Sequence, residues 1–255
     1  MAEREHYHFI GVCGTAMGAV ASAMKARGVK VTGSDEKVYP PMSTFLENSG
    51  VEIFEGYRAS NVPQSADVIV IGNTISRGNE EAEEVLNRSL LYQSLPEVLK
   101  EQFLRGNRYF VVAGTHGKTT TAAMLAWVLK EGDCDPGYMI GGIPAILGQG
   151  ATFTDSEFNV LEGDEYDTAF FDKRSKFLHY LPELAVINNI EFDHADIYGS
   201  LEEIKLSFRR LLNIVPGGGL AVVNGDDPNV IDVAEKSPCP VRTIGMSEGL
   251  SLIHI

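Results

Sequence analysis

Residues 109–121, YFVVAGTHGKTTT, run from an apolar stretch through a glycine-rich turn into a helix opened by Lys118 and Thr119. That junction suits nucleotide phosphates. Backbone N–H groups of Gly114, Thr115, His116 and Gly117 can close around phosphate oxygens at a helix N-terminus. Lys118 then reaches the β- and γ-phosphates, Thr119 offers its hydroxyl to Mg²⁺, and Thr120 continues the same turn. The strict pattern GxxxxGK[ST] would set its first glycine at Val112, whereas here it falls at Gly114, so the turn is a shortened one. ATP or GTP is the expected ligand.

Two further residues gain meaning from their places. Glu162 in VLEGDEYD and His194 in NNIEFDHADIYG each fall at or just past the end of an expected strand. In a parallel sheet those ends share one edge with the end that delivers the glycine-rich turn, so Lys118, Thr119, Glu162 and His194 are expected to converge. Glu162 suits Mg²⁺, which prefers carboxylate oxygen. His194 suits a second metal position or Mn²⁺ better, with Asp193 or Asp196 orienting it or serving in its place. The run EGDEYDTAFFDKRSKF mixes acids with Lys173, Arg174 and Lys176, and reads either as a solvated loop or as a contact for an anionic substrate. In VVNGDDPNV, Asn224 or Asp226 is a candidate nucleotide contact, although turn formation alone would account for both.

These residues need a sheet to hold them. Strands are expected over 109–112, 159–162, 184–190 and 220–224, with a helix over 201–212. The helix that follows the glycine-rich turn carries Met124, Leu125, Val128 and Leu129 at helical spacing, which predicts that this face is buried on the sheet, with Trp127 packing only. Gly132 is placed to end it.

Ahead of this lies a second unit. A strand over 7–12, the turn GVCGTAMG, a helix ending at Gly28 and a strand over 29–33 ending at Asp35 form a β-loop-α-β unit of nucleotide-binding type. Counted from Gly11, the GxGxxG fingerprint would need glycine where Cys13 and Ala16 stand, which disfavours NAD. A strand over 67–71 leads into GNTISRGNEE and a helix over 80–88. The short helix in SLPEVLKEQFLRGN marks a boundary, giving domains 1–98 and 99–255. Alternating strands and helices place both in the α/β class, with mostly parallel sheets.

The composition is consistent with this division. At 255 residues and 44% hydrophobic content the chain can fill two cores. A net charge of −14, spread along the chain, disfavours nucleic-acid backbones and anionic membranes as partners. Three scattered cysteines make neither a disulfide framework nor a zinc site, and fit a reducing, cytoplasmic compartment. No export signal or membrane span is legible.

GTHGKTTT, the Glu162 segment, DHAD and NGDDP, in this order behind GVCGTAMG and the GSD of Gly33 to Asp35, resemble the Mur ligases, ATP-dependent amide-bond formers of cell-wall precursor synthesis. The resemblance implies a Rossmann-like UDP-binding domain followed by a P-loop central domain. It implies UDP-sugar contacts at Gly14, Thr15, Ala16, Met17, Asp35, Thr74 and Ser76, and metal binding at Thr119, Glu162 and His194. The cofactors implied are ATP and Mg²⁺. DEYDTAFFDKRSKF followed by NNIEFDHADIY is most similar to members that join a murein tripeptide to UDP-N-acetylmuramate in peptidoglycan recycling; members that join L-alanine are the alternative, as is a fragment that binds nucleotide and UDP-sugar without turnover. The implied chemistry moves the γ-phosphoryl group to the lactyl carboxylate, and the acceptor amine then attacks the acyl phosphate. Where some members carry a carbamylated lysine, Phe208 and Arg209 stand here with Lys205 out of register, so none is expected. The adenine-contacting HNxxN segment and a third domain are missing, which reads as a truncated form with an incomplete central domain and little activity alone.

Overall fold

The computed structural model describes residues 6–193, 198–246 and 253–254. It forms two compact units. The first comprises Met1–Phe103 together with Thr168–Lys173, and the second the remainder, Leu104–Asp167 and Arg174–Ile255. No helix among the described residues is long and apolar enough to cross a membrane.

In the first unit, β1 (His6–Ile10), α1 (Thr15–Ala26), β2 (Lys30–Asp35), α2 (Met42–Asn48), β3 (Glu52–Glu55), β4 (Val68–Ile71), α3 (Glu80–Asn87), β5 (Tyr92–Ser94) and α4 (Leu95–Leu99) follow in turn. The strands pair in the order β3-β2-β1-β4-β5, parallel throughout. The order reverses between β1 and β4, the switch point at which open α/β sheets leave a crevice beyond the strand ends. β1 and β4 are buried along their whole lengths, as central strands covered on both faces must be. His6 and His8 sit within that apolar sheet because Thr32 Oγ1 partners both rings, at 3.0 and 2.9 Å.

The second unit contains β6 (Arg108–Ala113), α5 (Lys118–Glu131), β7 (Gly137–Met139), β8 (Ala151–Thr152), β9 (Phe158–Gly163), β12 (Leu184–Ile187), α6 (Leu201–Asn213), β13 (Leu220–Asn224), α7 (Pro228–Ala234), β14 (Val241–Ile244) and β15 (Ile253–His254), while β10 (Asp167–Ala169) and β11 (Asp172–Ser175) form a separate two-stranded pair around the segment Thr168–Lys173. Its main sheet runs β15-β14-β13-β12-β6-β9-β7-β8. Pairing is parallel from β14 to β7 and antiparallel at the two outermost strands. α6 shows the stripe its sequence promises: Ser200 caps it by accepting from Glu203 N–H, and Ile204, Phe208, Leu211 and Leu212 are buried at helical spacing.

α5 departs from expectation. Met124 and Val128 are 61% and 57% exposed and Trp127 is 38% exposed, so Trp127 is not a core aromatic. The helix is buried through Ala122, Ala123 and Ala126, with Leu125 and Leu129 partly buried against the cluster of Val112, Tyr138, Ile140 and Val160. Apolar residues surround this helix, so periodicity selects no face, and the smallest side chains turn to the sheet. Gly132 caps the helix at φ −87°, and the left-handed residue is Asp133 at φ 59°.

Candidate functional sites

β6 pairs in parallel with β9 and with β12, placing Ala113 level with Gly163 on one side and Ile187 on the other. The turn after β6, the acids after β9 and the asparagines after β12 therefore leave the sheet at one edge. Gly114 adopts φ +138° and lies so close to β12 that a Cβ there would stand 3.0 Å from Asn188 Cβ. Only glycine fits such a position. Gly117, at φ +77°, caps α5 without any side-chain hydrogen bond, so the first-turn N–H groups keep their positive end of the helix uncompensated. The loop is braced from β12: His116 N–H donates to Asn189 Oδ1 at 2.7 Å, Thr115 N–H to the Asn189 carbonyl at 3.0 Å, and Asn188 Nδ2 to Thr121 Oγ1 at 3.2 Å.

Thr119 and Glu162 do meet. Thr119 Oγ1 donates to Glu162 Oε1 at 3.0 Å, while Glu162 Oε2 accepts from Gly141 N–H at 2.7 Å. A hydroxyl and a carboxylate so placed are the hard oxygen donors that Mg²⁺ takes, and they fit it. His194 and Asp196 lie outside the described residues. No group of three or more His, Cys, Asp or Glu side chains placed to hold a metal ion occurs among the described residues.

Lys118 is not extended toward solvent. Its ammonium donates to the carbonyls of Gly114 and Thr115 at 2.7 and 3.0 Å and to Glu165 Oε1 at 3.0 Å. Glu165, three residues beyond Glu162, is only 2% exposed. Burial pushes its carboxyl pKa up, with the Lys118 charge opposing. Nothing in its residue type marks Glu165 in the sequence; its place in EGDEYD, right after a strand, is the one available signal. Asn224 Oδ1 accepts from Asp226 N–H at 2.9 Å, the turn-forming role. Thr120 and Arg174 are exposed.

In the first unit a cavity of about 760 Å³ opens at the switch point, lined in part by Gly14, Asp35, Tyr57, Thr74, Ser76 and Arg77. Asp35 fixes its floor, accepting from Cys13 N–H at 2.9 Å and Lys37 N–H at 3.0 Å. Gly14 begins α1 with no side-chain cap and no acid in the first turn, so the backbone N–H groups over Thr15, Ala16 and Met17 are suited to an anion. The Met17 side chain itself is buried. Tyr57 and Arg77 are further wall residues that no sequence motif marks; Tyr57 follows β3, a strand too short to show a pattern. Burial and then Asp35 push the Tyr57 hydroxyl up to about 12 and the Cys13 thiol up to about 11. Iodoacetamide should therefore label Cys13 slowly at pH 8, with a rate that climbs nearly tenfold per pH unit to about pH 11. Peptide mapping by mass spectrometry that finds a plateau near pH 9, as for an ordinary thiol of pKa ~8.5, would contradict this environment.

The Mur ligase middle domain profile matches residues 112–254, and that described as "Mur ligase family, catalytic domain" matches residues 6–106. The chain is 48% identical over 223 residues to the Escherichia coli UDP-N-acetylmuramate--L-alanyl-gamma-D-glutamyl-meso-2,6-diaminoheptandioate ligase, covering 88% of this chain and 49% of that protein. Against a UDP-N-acetylmuramate--L-alanine ligase of Psychrobacter sp. the identity is 37% over 240 residues, 94% of this chain and 48% of that one. A crystal structure of the tripeptide-type ligase from Neisseria meningitides superimposes with a TM-score of 0.87 at 47% identity, covering 94% of this chain and 77% of that one. The chain thus spans about half the length of the curated relatives it matches.

Proposed function

The chain belongs to the Mur ligase family, and on that premise we propose that it is the nucleotide- and UDP-sugar-binding part of a ligase that joins a murein tripeptide to UDP-N-acetylmuramate at the expense of ATP. The observation that carries the reading is the meeting of Thr119 and Glu162 beside an uncapped helix N-terminus that also holds Lys118. In this reading Gly114, Thr115, His116, Gly117 and Thr120 surround the phosphates, and Lys118 balances charge as the γ-phosphoryl group leaves ADP for the lactyl carboxylate oxygen. The acceptor amine then forms the amide as phosphate departs. Thr119 and Glu162, with His194 as a further ligand, would hold Mg²⁺, which when bound would supply positive charge against the phosphate oxygens. Asn224 is assigned to the nucleotide, Arg174 to the anionic substrate, and the first-unit cavity to the UDP moiety, with Asp35 on the ribose or uracil and Gly14 to Met17, Thr74 and Ser76 around the rest. Cytoplasmic residence goes with these substrates.

Tripeptide is favoured over L-alanine as acceptor by the higher identity to the tripeptide ligase, 48% against 37%. The test is calorimetry of this chain with Mg²⁺-ATP and with UDP-N-acetylmuramate, followed by phosphate release from a form extended to the relatives' full length. Release that needs tripeptide supports the reading; release with L-alanine alone moves the assignment to the other acceptor. For Glu162→Gln we expect the Mg²⁺ concentration that half-saturates ATP binding to rise at least roughly tenfold. An unchanged Mg²⁺ dependence in the same titration would remove Glu162 from the metal site.

A further inference from the structure

An ammonium has three N–H bonds, and those of Lys118 are all taken, by the Gly114 carbonyl, the Thr115 carbonyl and Glu165. Both Glu165 oxygens lie near it, Oε1 at 3.0 Å and Oε2 at 2.9 Å. A phosphate oxygen can therefore be met only after one acceptor lets go. The two carbonyls are neutral and belong to the loop itself; the carboxylate carries the charge that an arriving phosphate would repel. Glu165 is also firmly seated, since its backbone carbonyl accepts from the buried Tyr198 hydroxyl at 2.7 Å, and that hydroxyl is 3.0 Å from Ser175 Oγ.

We propose that Glu165 is a positioning residue that occupies Lys118 in the nucleotide-free chain and is exchanged for a phosphate oxygen when nucleotide binds. This rests on the reading of the loop as a nucleotide site. The exchange takes the Lys118 ammonium away from a buried carboxylate whose pKa burial already raises, so it pushes that pKa further up, and proton uptake is the expected signature. Nucleotide affinity is thus held below what the loop alone would give.

The experiment is calorimetry of Mg²⁺-ATP binding to the 255-residue chain at pH 7.5, in buffers of different ionisation enthalpy, for the unaltered chain, Glu165→Gln, Glu165→Asp and Lys118→Ala with and without Glu165→Gln. We expect proton uptake by the unaltered chain and none beyond the ligand's own in Glu165→Gln, which binds ATP about tenfold tighter. In the Lys118→Ala background, where there is no ammonium for Glu165 to occupy, Glu165→Gln should change affinity by less than about threefold. Glu165→Gln that binds ATP no tighter, or as weakly as Lys118→Ala, would overturn the exchange. If Glu165→Gln does not fold, Glu165→Asp, which reaches the ammonium less well, should still bind tighter; absence of proton uptake by the unaltered chain overturns the proposal by itself. No ATP binding by the unaltered chain would instead bring down the nucleotide reading, and the exchange with it.

Discussion

Replacing Lys118 with alanine is expected to weaken ATP binding roughly a hundredfold and to eliminate turnover in a full-length form. Hydrogen bonds to a charged group contribute about 1.5–3 kcal/mol each, and each 1.4 kcal/mol is a factor of ten in affinity, so losing the ammonium from the phosphates removes about two decades. The substitution also leaves Glu165 without the cation that lowers its pKa, and burial then raises that pKa further. A carboxyl whose folded pKa lies above its unfolded one stabilises the fold below the unfolded value and loses that contribution as pH rises through the folded value. The variant should accordingly melt closer to the unaltered chain at pH 5 than at pH 8. Calorimetric titration with ATP, paired with thermal melts at the two pH values, checks both parts. Unchanged nucleotide affinity would remove Lys118 from the phosphate site.

How much of this was legible beforehand follows from what each signal constrains. The β-loop-α junctions were readable because glycine at a strand-to-helix turn restricts the backbone directly, as Gly114 against Asn188 illustrates. Strand ends gave the shared edge, since parallel pairing fixes the register once the topology is known. The face of α5 was not readable, because a helix apolar on every side carries no period. Short strands such as β8 and β14 are not legible for a related reason: two to four residues are too few to show alternation. Glu165 and Glu81 were passed over because a carboxylate is ordinarily solvated, and only tertiary partners can reverse that expectation.

Glu81→Ala is the substitution expected to cost the first unit the most stability. The residue lies in the first turn of α3 and is fully buried. Its Oε2 accepts from the Ser34 hydroxyl, and its Oε1 accepts from Arg58 N–H at 3.1 Å and Asn61 Nδ2 at 2.8 Å. The fully buried His8 ring places Nε2 3.8 Å from Oε2. One carboxylate thereby fastens the end of β2, the segment after β3 and the start of α3 to one another. Alanine leaves the buried Ser34 hydroxyl and the part-buried Arg58 and Asn61 donors facing a void, at about 1–3 kcal/mol for a buried unmet group and less for the other two, so a loss of about 2–4 kcal/mol is expected. That is a large part of the ~5–15 kcal/mol that holds a typical domain folded. Ser34 and Arg58 are the chain neighbours of Asp35 and Tyr57, which line the cavity assigned to the UDP-sugar, so its affinity should fall as well. Glu81→Gln keeps an oxygen for Arg58 and Asn61 and should lose only about 1 kcal/mol. Urea denaturation followed by circular dichroism, with ATP calorimetry as the reporter of the second unit, separates the effects: the first unit should unfold earlier in Glu81→Ala while nucleotide binding is retained. An unmoved denaturation midpoint would mean that the three donors find other partners and that Glu81 does not fasten this wall.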